Sequence, residues 1–399
     1  MRNNDVGARR VRLAGIAAVA AGSLLLGACS GQTEDEKQGA PAQTLAPSAR
    51  PVSPDGELPD GVAADLQGAL EQMMAQYAVP GAAVGVWVPG EGSWVSAVGS
   101  ADVEGDVPAT ADMMWPLRSI TKSYTVTLLL QLVDQGEVSL GDSVGQYVDG
   151  VTNGDRITLR ELAAMSSGNA DYTNEKFVEA YSQDPAKVFT LDELNSYILG
   201  EPAQFEPDAE KVYTNANTNL LGAVIENVTG EPYAEVLQER ILDPLGQTGT
   251  AYLTKVTDWP APHPTGYIVE EGAAQGQDEN PSIFAAAGSA FSTLDDARVW
   301  AETLATGALL TPETQSERME GAPLDVGPPY DLYALGMGET DGWWGHNGEG
   351  IGFTSAAFHD NDSGASIVVF MNESDVPDAH PADETFRAFA EILASVRGE

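Results

Sequence analysis

Ser119 and Lys122, in the stretch RSITKSYT at 118–125, form the single S-x-x-K arrangement of a chain with six lysines and 60 acidic residues. A serine hydroxyl is a poor nucleophile at neutral pH and needs an adjacent base. Lysine serves as that base only when neutral, and burial or a nearby cation lowers its pKa toward that state. Residues three apart on a helix share a face. The run from Ser119 to Val133 has helical spacing, with Val126, Leu129, Leu130 and Val133 at i, i+3, i+4 and i+7. The pair reads as a nucleophile with its base or as two residues on a solvated face, and alone it leaves both open.

Other residues compete with the pair or complete it. GDSVG at 141–145 matches G-x-S-x-G, but the elbow of that motif needs a buried strand before the serine and a helix after it. Here a helix and a short GEVSL precede Ser143 and polar QYVDG follows, so Ser143 is expected to be a turn residue. In YTNANTNLLG, Tyr213 and Asn215 are two apart and would face the same way in an extended segment. In GHNGEG, His346 precedes a strand in which Gly348 and Gly350 would let another backbone approach. Each has a structural alternative: a buried tyrosine, a turn asparagine, a satisfied edge histidine. The four histidines (His263, His346, His359, His380) are scattered, with no H-E-x-x-H and no cysteine pair, so metal catalysis is not expected. No P-loop or dinucleotide fingerprint appears, and no cofactor is implied.

The elements around these residues divide the 399-residue chain into three parts. Residues 1–28 carry a basic start (Arg2, Arg9, Arg10, Arg12), then apolar LAGIAAVAAGSLLLGA, the pattern of an export signal. The one cysteine, Cys29, follows LGA and resembles the lipidated position of a bacterial lipobox. Residues 29–61 are rich in Pro, Gly, Ser, Gln and charge and read as a disordered tether. Loss of 1–28 removes four arginines and Asp5, taking the net charge from −41 to −44. Such acidity excludes nucleic acid as a partner and repels anionic membrane surfaces, leaving the lipid as the membrane contact. The expected location is extracytoplasmic and lipid-anchored. From residue 62 to 399, strand patterns (GAAVGVWV, SWVSAVGSA; later GWWGHNG, GFTSAAFHD, ASIVVFMN) flank a helical middle at about 115–305. The expected fold is α+β: an antiparallel sheet built from both chain ends, terminal helices on one face, an inserted helical subdomain, and the active site between sheet and helices.

In this order and spacing, SITK, YTN and HNG resemble the motifs of the serine β-lactamase-related hydrolases, in the class C β-lactamase and D-alanyl-D-alanine carboxypeptidase branch. The likeness runs from about Val62 to the C-terminus and includes ITLRELAAMSSGNADY and AAGSAFSTLDDARVWAE. It implies a β-lactamase/transpeptidase-like fold and acyl-enzyme chemistry on an amide or ester. By this resemblance Ser119 attacks the carbonyl, Lys122 takes its proton, and Tyr213 passes a proton to the leaving group and later activates water. Asn215 holds the acyl side chain, and the N–H groups of Ser119 and Glu349 bind the oxyanion. His346 stands where lactamases usually carry lysine, nearer the carboxypeptidase and esterase members, as a polar partner of Tyr213 or substrate. The first expectation is a D-alanyl-D-alanine carboxypeptidase-like enzyme acting on a small molecule or peptide, cell-wall peptide included. Alternatives are a carboxylesterase, a D-amino-acid amidase or aminopeptidase, a class C β-lactamase, and, outside catalysis, a penicillin-recognising binding protein or sensor. Intact Ser119, Lys122 and Tyr213 argue against the last, since binding alone needs no base.

Two departures bear on substrate. Glu349 replaces a small or hydroxyl residue beside the oxyanion strand, and no Lys or Arg occurs between Arg318 and Arg387. A substrate carboxylate needs a cationic partner; Arg118, next to Ser119, is the near candidate in sequence. This weakens the carboxypeptidase and leaves room for an esterase or an amidase of uncharged or cationic substrates, with neutral esters or amides expected to be turned over better than free-carboxylate peptides.

Overall fold

The computed structural model describes residues 50–397 apart from 271, 272 and 378; the basic leader, Cys29 and the tether as far as residue 49 lie outside the described residues. Eight strands make the main sheet: β1 Gly81–Val88, β2 Gly92–Asp102, β3 Val107–Pro108, β4 Leu332–Tyr333, β5 Gly338–Thr340, β6 Trp343–Gly350, β7 Phe353–Asp360 and β8 Ser366–Met371. Their order is β3-β2-β1-β8-β7-β6-β5-β4, with antiparallel pairing throughout. The two chain ends meet where β1 pairs with β8, Val84 opposite Val369. The α+β expectation is therefore the observed fold.

Strand β1 shows why the sheet sits in the middle. All eight of its residues are buried. Val84, Val86 and Val88 enter one core, while Ala83 and Trp87 enter the other. The first core is closed by helix α1, Asp60–Tyr77, which buries Val62, Leu66, Leu70 and Met74 at four-residue spacing, each side chain contributing roughly 1.5–3 kcal/mol. The chain leaves α1 through Ala78 in the left-handed region (φ 56°) and turns directly into β1. The C-terminal helix, Pro381–Arg397, packs beside α1 on the same face.

The other face carries helix α2, Thr121–Asp134, helix α3, Asn215–Thr229, and helix α4, Leu294–Thr306. The apolar spacing within α2 predicted an amphipathic stripe. Instead every residue from Thr121 to Leu132 is buried, because α2 is the central helix of this half. Its hydroxyls turn back on the backbone: Ser123 donates to Ile120 O (2.6 Å) and Thr127 to Ser123 O (2.7 Å). The segment from Ile120 to Leu132 is thereby packed on all sides.

Two boundaries differ from expectation. Residues from Arg50 onward dock on the domain instead of continuing the tether to 61. Arg50 pairs with Asp295 and Asp296 (2.6 Å each) and donates to Gly246 O (2.6 Å), and Leu58 is buried. One arginine with two carboxylate partners is enough to pin an otherwise polar segment. The middle region is also less purely helical than its periodicity suggested. It holds a three-stranded sheet (Trp115–Pro116, Ala251–Tyr252, Ala290–Ser292) and a hairpin (Gly266–Glu270, Ala273–Gln277), and helix continues to Arg318. Strands of two or three residues carry no readable alternation.

Candidate active site

Ser119 sits in a 3-10 turn, Arg118–Ile120, that leads into α2. Arg118 adopts φ 51°, a conformation uncommon for a residue with a side chain, and this presents Ser119 to the cleft while its neighbours are buried. Ser119 N–H has no hydrogen-bond partner among the described residues, as expected at a helix start. Lys122, one turn on, is wholly buried. Its Nζ lies 2.9 Å from Ser119 Oγ, 2.7 Å from Asn215 Oδ1 and 3.0 Å from Ala287 O. Two of these three partners can only accept. A neutral amine therefore gives its two N–H bonds to Asn215 and Ala287 and aims its lone pair at the serine hydroxyl. Burial lowers the Lys122 pKa to about 7, partly opposed by the negative charge of Asp171. At neutral pH a large share of the molecules then carry a neutral amine beside the Ser119 hydroxyl.

Asn215 opens α3, with Thr214 as its cap. Asp171 accepts from Asn215 N–H (2.7 Å) and from Thr214 Oγ1 (2.8 Å), fixing the turn that carries both Tyr213 and Asn215. Asn215 spends its oxygen on Lys122 and lines the cleft. Lys122 Nζ lies 5.0 Å from the centre of the Tyr213 ring. The Tyr213 hydroxyl is shut off from solvent and has no partner of hydrogen-bond geometry, although Ser119 is close enough to favour its ionisation. Burial dominates and holds the phenol well above its ordinary pKa. The Tyr213 phenol therefore keeps its proton at neutral pH.

Strand β6 forms the opposite wall. Its pairing with β5 ends at Gly345, so residues 346–350 present a free edge to the Ser119 turn. Asn347 N–H donates to Tyr330 Oη (2.9 Å) on that edge. Backbone groups two residues apart along a strand point the same way, so Glu349 N–H faces the same side. Gly348 permits the approach: a Cβ there would lie 2.4 Å from Leu117 O and 2.8 Å from Arg118 Cβ. Ser119 N–H and Glu349 N–H thus flank one cleft of about 210 Å³, lined by Arg118, Ser119, Tyr213, Asn215, Gly348 and Glu349 among others.

His346 is not among the lining residues. It is fully buried behind Tyr213, their ring centres 6.1 Å apart. Its Nδ1 donates to Asn347 O (2.5 Å), and its Nε2 accepts from Tyr333 Oη (3.2 Å). Burial lowers its pKa to about 3, so it is neutral throughout the physiological range. The expected polar contact of His346 with substrate has no room.

Arg118 is likewise committed. It is 1% exposed, forms a two-bonded ion pair with Glu279 (2.6 and 3.1 Å), and donates Nε to Gly350 O (2.9 Å). It ties the end of β6 to the Ser119 turn, and its charge is met by Glu279. Ser143, by contrast, precedes a 3-10 turn in a separate hollow and accepts from Gln146 Nε2 (3.3 Å). No lysine or histidine lines that hollow, whose ionisable residues are Asp149 and Asp155. Sequence reasoning missed Asp171, Glu279 and the Ala287 carbonyl. Their partners lie 44, 161 and 165 residues away, beyond any local spacing.

The arrangement sets a serine hydroxyl beside a buried lysine amine, with a buried tyrosine and two backbone N–H groups around the same cleft. The β-lactamase family pattern matches residues 66–391, and the chain belongs to that family of serine hydrolases. Protein flp of Staphylococcus aureus is 29% identical over 200 residues, 49% of this chain and 39% of flp. The chain thus spans about two fifths of the length of those curated relatives. A D-aminopeptidase of Brucella anthropi is 27% identical over 320 residues, 77% of this chain and 59% of that protein. Among solved structures, a D-stereospecific amidohydrolase from Streptomyces superposes with a TM-score of 0.72 at 28% identity, over 84% of this chain and 98% of its own. A D-amino acid amidase from Ochrobactrum anthropi SV3 gives 0.74 at 24% identity, over 85% of this chain and all of its own, a likeness of fold.

Proposed function

We propose that this chain is an acyl-enzyme hydrolase of amide and ester bonds, of D-aminopeptidase or D-amino-acid amidase type. The observation that carries the reading is the buried Lys122 amine, 2.9 Å from Ser119 Oγ and with a pKa near 7. In the forward step Ser119 Oγ attacks the carbonyl carbon as Lys122 takes its proton, and Ser119 and Glu349 N–H stabilise the oxyanion. The C–N or C–O bond then breaks as the leaving group accepts a proton, by way of Tyr213. Water repeats the sequence on the acyl-enzyme and frees Ser119.

The amidase type is favoured over the carboxypeptidase first expected, because the one arginine lining the cleft is neutralised by Glu279. The names of the Brucella and Streptomyces relatives support the same choice. Location outside the cytoplasm, through lipid on Cys29, is part of the proposal and rests on the LGAC sequence. Cys29→Ser should release the protein from the membrane fraction, and retention there would remove the anchor. The catalytic reading is tested by labelling with a fluorophosphonate and intact-mass spectrometry. The native protein and Ser143→Ala should gain one adduct, and Ser119→Ala none. An adduct that survives in Ser119→Ala would overturn the mechanism.

A further inference from the structure

Of the four histidines, His380 is the one that lines the cleft, and the chemistry above does not use it. It directly precedes the C-terminal helix, is partly buried, and also lines an adjoining hollow of about 600 Å³. Both ring nitrogens are taken. Asp383 N–H donates to Nδ1 (3.1 Å), so that nitrogen carries no proton and the neutral ring holds its proton on Nε2. Nε2 in turn donates to Gly348 O (3.1 Å). No nitrogen is left for a substrate atom.

The identity of that carbonyl gives the contact its meaning. Gly348 C=O and Glu349 N–H belong to one peptide group, and this N–H is the strand's donor to the oxyanion. The group is trans, so its oxygen and its N–H point in opposite directions. A hydrogen bond accepted at the oxygen polarises the whole group and strengthens the N–H as a donor. It also fixes the peptide plane. That plane needs fixing, because Gly348 and Gly350 (φ 145°) flank Glu349 and leave the backbone unusually free to turn. Ser355 Oγ approaches the same oxygen at 3.4 Å, but its single hydrogen has a nearer acceptor in Leu117 O (2.9 Å). His380 is therefore the better-placed side-chain donor to this peptide.

The ring is itself anchored to the strand it supports. The buried Asp383 carboxylate accepts from Arg387 Nε (2.8 Å) and from Asn347 Nδ2 (3.4 Å), and Asn347 lies on β6 beside Gly348. Arg387 also donates to Pro329 O (2.9 Å), next to Pro328 in the cleft wall. The first turn of the C-terminal helix and the free edge of β6 are thus joined at three points.

We propose that His380 is a positioning residue for hydrolysis, which holds and polarises the Gly348–Glu349 peptide so that Glu349 N–H meets the oxyanion. The inference rests on the hydrolase reading and acts through the peptide, not on substrate. Two substitutions isolate the contact. Asparagine at 380 keeps an acceptor for Asp383 N–H but is too short to reach Gly348 O, whereas glutamine places an amide N–H where Nε2 stands. With p-nitrophenyl acetate, His380→Asn should lower kcat about tenfold, a fraction of what loss of an entire oxyanion donor costs. KM should stay within about twofold, because attack and deacylation both pass through an oxyanion and slow together. His380→Gln should recover to within about threefold of native. Thermal melting and complete fluorophosphonate labelling by intact mass show that each variant is folded and fully active in number. Unchanged kcat in His380→Asn, a loss confined to KM, or His380→Gln as slow as His380→Asn would overturn the role while leaving the hydrolase reading intact. A native protein that gains no adduct would overturn the hydrolase reading, and this role with it.

Discussion

Lys122 and His346 are both fully buried, both have their pKa lowered by burial, and both are close to the Tyr213 ring. They differ in what meets the lone pair. The Lys122 lone pair is directed by Asn215 and Ala287 at a hydroxyl that opens on the cleft. The His346 lone pair meets Tyr333 Oη, inside a closed cluster of Tyr330, Tyr333 and Asn347. A lowered pKa thus creates a base in one place and only a well-packed polar residue in the other. Access to a nucleophile makes the difference, and the two residues should respond very differently to substitution.

Lys122→Met is expected to have the largest effect among these bases, lowering the rate of Ser119 labelling and of amide turnover by about 10³-fold or more. The same change should stabilise the fold. The folded pKa is near 7 against 10.5 for free lysine, so the unfolded state holds the extra proton between these values. Below pH 7 the folded state must charge the amine as well, and the penalty is fully present. As pH rises from 7 toward 10.5 the penalty is relieved. The gain in melting temperature for Lys122→Met should therefore be largest at or below neutral pH and shrink above it, reflecting roughly a few kcal/mol. Destabilisation at every pH would mean that the three Lys122 hydrogen bonds outweigh its desolvation.

Tyr213→Phe removes the proton donor but keeps the ring against Lys122. It should cost about 10²-fold in amide turnover. The loss should be smaller for an ester with an acidic leaving group such as p-nitrophenol, which departs without a proton. An equal loss on both substrates would assign Tyr213 a packing role.

His346→Gln should produce the smallest kinetic change, within tenfold, because His346 touches neither Ser119 nor the cleft. Its cost should instead appear in stability, on the order of 1–3 kcal/mol, where the Tyr333 and Asn347 groups lose a fitted partner. Chemical denaturation read by tryptophan fluorescence checks this. A hundredfold fall in turnover with unchanged stability would place His346 back in the chemistry.

The contrast also explains which parts were legible in the sequence. Strand β1 and the terminal helices show their periods plainly, and the union of both chain ends in one sheet followed from them. Ser119, Lys122, Tyr213, Asn215 and Gly348 were singled out by type and spacing and Glu349 by the family resemblance; all but the buried Lys122, which lies behind Ser119, line one cleft. His346 was found by the same signal and lies outside it. A motif residue in a strand shows which face it takes only once its neighbours are placed, and His346 is met by Tyr333 from a two-residue strand and by Tyr330 from the loop before it. Glu349 is the converse. The sequence reading set its carboxylate beside the edge strand, and Glu349 lines the cleft there. Arg118 could not be placed at all, since the Glu279 that neutralises it lies 161 residues away.

The central claim is that neutral Lys122, and not His346, activates Ser119. It is tested most directly by the pH dependence of the second-order rate of fluorophosphonate labelling between pH 5 and 9. The account predicts a single rise with a midpoint near 7, the same midpoint in His346→Gln, and its disappearance in Lys122→Met. A flat profile in the native protein, or a midpoint that moves or vanishes when His346 is replaced, would contradict it.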